Sequence, residues 1–222
     1  MLYGAAQFSK DVDFVLLSDE ANYERLLAAM EDLEADRIAV PRFDPAVLER
    51  GHAVHFRCQA PGAEGLRVDV MTRLRDLPPF QKLWSRRTTI HLPDGETCEI
   101  LAVEDLITAK KTQRAKDWPV IDALVEGHYR SLHDEPTEAR IQFWLRESRT
   151  PERLIELTAR FPAETASLLA ARPLLVFASQ GDLDELRTAI DAEIRAEQEK
   201  DRRYWEPLKR EIEEFRRAER QG

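Results

Sequence analysis

The chain has 222 residues, 43% of them hydrophobic and 34% charged, with a formal net charge of −9. That length supports one substantial α/β domain and a smaller helical one, and no run approaches the ~20 apolar residues that a membrane span needs. The acidic balance disfavours extended nucleic acid as a partner, because sequence-independent binding depends on a basic face that neutralises phosphates.

At the start, Met1-Leu2-Tyr3-Gly4 runs into polar sequence without the pattern of a signal peptide. Cys58 and Cys98 make no disulfide framework and suit a reducing compartment. A cytoplasmic location is the expectation. Asp11-Val-Asp-Phe-Val-Leu-Leu17 alternates and then turns apolar, which predicts an edge strand with Val12 and Phe14 directed into the core. Ser18 or Asp19 then caps a helix with Tyr23, Leu26, Leu27, Met30 and Leu33 on one face. A short strand is expected near Ile38-Ala-Val40, and Asp44-Pro45 opens a brief helix that stops at Gly51. Two strands, Ala53 to Gln59 and Leu66 to Met71, form a hairpin through Pro61-Gly-Ala-Glu-Gly65. A second hairpin pairs Thr88 to Leu92 with Thr97 to Leu101 through Pro93-Asp-Gly95.

Beyond Leu101 the period changes from two to about three and a half, so the rest of the chain reads as helical. Glu104 to Ala115 and Trp118 to Tyr129 make the first pair; Thr150-Pro151, Pro162, Pro173 and Gly181 punctuate the later helices. From Asp182 to Arg220 mixed charge surrounds an apolar stripe of Leu183, Leu186, Ile190 and Ile194. The expected organisation is an α/β domain over residues 1–129 and a helical region over 130–222.

Aspartate is depleted in strands, so two of them at alternate positions need a reason. Asp11 and Asp13 share one face of their strand, and in Leu66-Arg-Val-Asp-Val70 the alternation puts Arg67 and Asp69 together. If the two strands pair, three carboxylates meet on one patch. Unit charges about 5 Å apart repel by roughly 3 kcal/mol at an effective dielectric near 20. Such a trio suggests bound Mg²⁺, which takes carboxylate and phosphate oxygens together; paired ions could activate a hydroxyl and neutralise departing pyrophosphate. A solvent-facing strand decorated with acids is the competing explanation. Lys110 and Arg114, four apart on a predicted helix, are candidates to meet phosphate charge, with Lys111 and Lys116 nearby. Arg86-Arg87 reads as a surface pair. His52, His55 and Cys58 do not converge as a zinc site, since His55 faces the opposite side of a strand from the other two. His128 and His133 read as surface or helix-end residues. Trp84, Trp118, Trp144 and Trp205 read as packing residues.

The run Tyr3-Gly-Ala-Ala-Gln-Phe-Ser-Lys-Asp-Val-Asp-Phe-Val-Leu resembles the metal-binding strand of the nucleotidyltransferase (DNA polymerase β-like) superfamily. It is closest to the small prokaryotic branch with minimal nucleotidyltransferases and AbiEii-type toxins. Leu101-Ala-Val-Glu-Asp-Leu-Ile-Thr-Ala-Lys110 is similar to the family's strand, Glu-Asp-Leu and lysine-bearing helix, and Lys116-Asp117 and Asp122 fall where relatives carry a basic-Asp pair and a further Asp. The resemblance covers roughly residues 3 to 125. It implies an α+β fold with a nucleotidyltransferase-like mixed β-sheet flanked by helices, followed by an all-helical C-terminal region. It also implies metal ligation and catalysis by Asp11, Asp13 and Asp69, and nucleotide contacts from Ser9 and Lys110. The implied activity is transfer of NMP from an NTP, with ATP the expected donor, to a hydroxyl on a small molecule, a protein or a tRNA.

Relatives also carry an upstream Gly-Gly or Gly-Ser turn that holds phosphates through backbone N–H groups. Reading from Met1, only Gly4-Ala5 precedes Asp11, and Gln7 stands where many relatives have a basic residue. Either a first helix lies upstream of this sequence, or the domain is degenerate and binds without catalysing. In the second case the charged C-terminal helices would dock a protein partner, as in a toxin–antitoxin pair.

Overall fold

The computed structural model describes residues 11–221. It is an α+β protein with a small mixed sheet and a long C-terminal helical region. By contact it divides into two compact units, residues 110–201 and residues 11–109 together with 202–221. No helix among the described residues is long and apolar enough to cross a membrane.

The sheet-bearing unit contains β1 (Asp11–Val15), α1 (Glu20–Asp32), β2 (Asp36–Arg37), α2 (Pro45–Glu49), β3 (Val54–Arg57) and β4 (Arg67–Met71). It continues with α3 (Phe80–Ser85), β5 (Thr88–His91), β6 (Thr97–Ile100) and α4 (Val103–Lys110), whose last residue opens the other unit. One sheet has the order β1-β4-β3-β2, and β5-β6 form a separate hairpin. β1 and β4 run parallel, while β3 is antiparallel to both β4 and β2. Asp19 caps α1 by accepting from the Asn22 N–H at 2.8 Å, and Asp44 does the same for α2 from Ala46. Gly51, at φ +102°, ends α2 in a conformation only glycine adopts without strain.

Tyr23, Leu26 and Met30 of α1 pack on Val54, Phe56, Cys58, Val68 and Val70, the apolar face of β3 and β4. This corrects the expectation for β1: Val12 is 36% and Phe14 47% exposed. β1 is the sheet's edge strand, and α1 is centred over β3 and β4 instead. Leu27, on the flank of α1, is likewise exposed rather than part of its core stripe. The strand expected at Ile38 to Val40 is shifted to Asp36–Arg37, with the Ile38 N–H still bonded to the His55 carbonyl. α3 had no counterpart in the sequence reading, because a six-residue helix after Pro78-Pro79 offers little periodicity.

The helical unit has a 3₁₀ turn (Ala115–Asp117), α5 (Trp118–Leu132), α6 (Glu138–Glu147), α7 (Pro151–Arg160), α8 (Pro162–Leu168) and α9 (Leu175–Gln180). The position 129/130, where a division was expected, lies within α5. α10 (Leu183–Gln221) is one 39-residue helix with Pro207 inside it; its residues to 201 belong to the helical unit and those from 202 to the sheet-bearing one. Leu186 and Ile190 are buried as the stripe predicted. Arg172 knits this unit: its guanidinium donates to the carbonyls of Leu145 and Ser148 at 2.7 and 2.8 Å and to both Glu193 oxygens at 2.9 and 3.0 Å.

Candidate functional site

The face of the four-stranded sheet opposite α1 is polar, and its register sorts the side chains into two rows. Asp11 of β1, Arg67 of β4, Arg57 of β3 and Asp36 of β2 lie level in the first. In the second, Asp13 lies level with Asp69, and Asp69 with His55. Side chains two residues apart on a strand share a face, so both rows project from the same side. The first row has two basic side chains, Arg67 and Arg57, between its acids. The second sets two carboxylates side by side on strands about 4.8 Å apart, with Asp11 two residues up the same strand.

Asp69 is the least exposed of the three carboxylates, its side chain 13% exposed. Arg67 reaches along its own strand and donates Nε–H to Asp69 Oδ1 at 2.7 Å. His55 Nδ1 lies 2.8 Å from the same oxygen. Arg67 Nη2 is also 3.1 Å from His55 Nδ1, but one ring nitrogen cannot donate to the carboxylate and accept from the guanidinium together. The shorter contact, to a negative oxygen, fixes Nδ1 as the donor. Burial alone would raise the Asp69 carboxyl, yet the hydrogen bonds and charges of His55 and Arg67 hold it below the usual aspartate range. Arg67 is raised above its ordinary value, first by its bond to Asp69, against burial, and then by the charges of Asp69, Asp11 and Asp13. All three carboxylates therefore act on one guanidinium.

An open groove of about 770 Å³ runs past the carboxyl ends of β1 and β4, from Leu16 to Ser18 on one side and Thr72 to Gln81 on the other, with Arg73, Arg75 and Tyr204 in its lining. Crevices at the carboxyl ends of parallel strands are where open sheets commonly bind ligands, and the volume suits a small molecule.

Ser9 and the lead-in with Gly4-Ala5 and Gln7 are outside the described residues. Lys110 and Arg114 do not share a helix as expected: α4 ends at Lys110, and the backbone then bends into the 3₁₀ turn. Arg114 bonds Asp117 at 2.7 Å, and Thr112 donates to the same carboxylate. Both basic residues belong to the helical unit. Lys111 pairs with Glu147 at 2.7 Å. Arg86 is not simply a surface cation: its fork holds the carboxylate of Asp105, which is 3% exposed. Arg87 stacks over Trp84 at 4.1 Å and pairs with Glu99. His52 is buried and bonded to Glu211 at 3.0 Å, and His128 accepts from the Trp144 indole at 2.9 Å rather than facing solvent.

Sequence reasoning missed His55 as a member of the site, and it placed Arg67 beside Asp69 without giving it a role there. The alternation Val54-His-Phe-Arg57 already put His55 on a polar face, but its level with Asp69 is fixed only by the hairpin register. Among the described residues no three His, Cys, Asp or Glu side chains form a ready cation cage; the carboxylates share Arg67 instead. The donor set nonetheless fits a hard divalent cation. Carboxylate oxygens are what Mg²⁺ takes, and Asp69 Oδ2 receives neither the Arg67 nor the His55 bond. No family model matches the chain, and no curated protein matches it.

Proposed function

We propose that the protein is a Mg²⁺-dependent nucleotidyltransferase built on a nucleotidyltransferase-like sheet, moving NMP from an NTP, with ATP the expected donor, to a hydroxyl acceptor. The observation that carries this reading is the register of Asp13 with Asp69 on adjacent parallel strands, with Asp11 on the same face. Unlike the neighbouring row, this pair has no basic residue between its members. Asp11, Asp13 and Asp69 would hold the cation, which on binding supplies charge neutralisation for phosphate oxygens and acidifies an attacking hydroxyl. His55 keeps Asp69 ionised and oriented through Nδ1–H. Lys110 as a phosphate ligand rests on the family resemblance alone. The acceptor is a hydroxyl on a small molecule, a protein or a tRNA.

The test is incubation of the full chain with Mg²⁺ and each labelled NTP, following pyrophosphate release and label transfer. Asp13→Asn removes charge at nearly constant shape. It is expected to abolish transfer with circular dichroism and Tm close to wild type; undiminished transfer would reject the site.

A second reading, a nucleotidyltransferase-fold protein that binds without catalysing and engages a protein partner through its C-terminal helices, is favoured by one observation. Asp69 is already satisfied by Arg67 and His55 without any metal. Cation binding without pyrophosphate release from any NTP would select it.

A further inference from the structure

The row arrangement gives Arg67 a task that an ordinary ladder of surface charges does not. Its level neighbours are Asp11 on β1 and Arg57 on β3, yet its Nε–H bond goes two residues along its own strand, to Asp69. It contributes a single Nε–H to a single oxygen rather than clamping both carboxylate oxygens with its fork. The second nitrogen, Nη2, faces His55 Nδ1, which is itself a donor, so that contact adds no bond. The Arg67 side chain is 38% exposed while that of Asp69 is 13% exposed. A half-exposed guanidinium held at one point can return to water at small cost, since exposed ion pairs contribute little. His55, by contrast, approaches the same carboxylate from the neighbouring strand and can keep its bond whichever cation is present.

We propose that Arg67 is a tethered counter-ion: it balances the Asp11, Asp13 and Asp69 carboxylates in the absence of metal and competes with a divalent cation for Asp69, so that it sets the affinity of the trio for that cation. This rests on the metal-site reading above. A guanidinium and a divalent cation within a few ångströms repel each other, and only one of them can use the same negative charge fully. Removing the guanidinium then has a signature opposite to ordinary damage, because binding improves.

The experiment titrates Mn²⁺ into the full-length wild type, Arg67→Gln, Arg67→Lys and Asp13→Asn, reading free Mn²⁺ by electron paramagnetic resonance, with Tm measured in parallel. Arg67→Gln is expected to bind Mn²⁺ roughly tenfold tighter or more, from the size of one like-charge repulsion at short range. Arg67→Lys, which keeps the charge, should stay nearer wild type, and Asp13→Asn should bind more weakly. Mn²⁺ should also raise the Tm of Arg67→Gln more than that of wild type. If Arg67→Gln fails to fold without cation, Arg67→Met removes the same charge with a better-packing stem. Equal or weaker Mn²⁺ binding by the charge-removing variant, with Asp13→Asn still impaired, overturns the counter-ion role and leaves the metal site standing. Unchanged binding by Asp13→Asn overturns both.

Discussion

Charged residues in this protein do two different things, and burial separates them. Glu193 shows the structural kind. It accepts both Arg172 bonds and pairs with Arg149 at 2.9 Å. Burial would raise its carboxyl, but Arg172 and Arg149 hold it below the ordinary glutamate value of 4.5. A folded-state value below the unfolded one gives stability that is present above about pH 4.5 and is lost as pH falls through the folded value. Glu193→Gln leaves two buried guanidinium groups short of a counter-charge, so it should cost about 3 kcal/mol at neutral pH. The gap to wild type in urea midpoint should close below pH 4.5; a gap independent of pH would refute the ion-pair account. The candidate-site carboxylates are the other kind. Asp11 and Asp13 lie on an exposed edge strand, side by side on its polar face. The sequence exposed these three aspartates through alternation alone. It could not expose His55 or the Arg86–Asp105 fork, because each depends on a partner 14 to 19 residues away.

Elements were legible where a local rule operates. Asp19 and Asp44 start helices because their carboxylates satisfy otherwise unpaired N–H groups, and that is written in adjacent residues. Since α1 covers the apolar face of β3 and β4, Asp19→Ala should lower stability by about 1 kcal/mol in urea unfolding, while Asp32→Ala, at the other end of α1, should leave it nearly unchanged. Alternation also gave both hairpins. It failed for Val12 and Phe14, since alternation says that two residues share a face but not whether another element covers it. It failed for the end of α4 too: Thr112 turns its hydroxyl and carbonyl to Asp117 and Trp118, and these bonds replace helix continuation.

At the scale of the whole molecule, the charged tail of α10 is part of the sheet-bearing unit rather than a solvated appendage. Glu211 reaches Arg50 and buried His52 at 3.0 Å, Glu219 pairs with Arg37 at 2.8 Å, and Leu208 is buried. Deleting residues 202–222 should therefore weaken β3 and β4, costing about 3 kcal/mol or more from one buried leucine and the stranded His52. Amide hydrogen exchange across Val54–Arg57 and Arg67–Met71 is the measurement, and unchanged protection there would disprove the coupling. The mixed charge of this segment predicted a helix but hid its role, because acids and bases spaced three or four apart look the same on a free helix and on a docked one.

By itself the sequence determined the local grammar: where strands alternate, where helices are capped, and that Asp11 and Asp13 share a face, as do Arg67 and Asp69. Those follow from backbone periodicity and short-range hydrogen bonding, which a linear chain carries in full. Only the tertiary structure decided that β1 lies parallel to β4 with Asp13 level with Asp69, that His55 comes level from the other side, and that a guanidinium already attends the carboxylates. Strand order and register are set by the burial of distant apolar faces against one another, and no window of neighbouring residues contains that information.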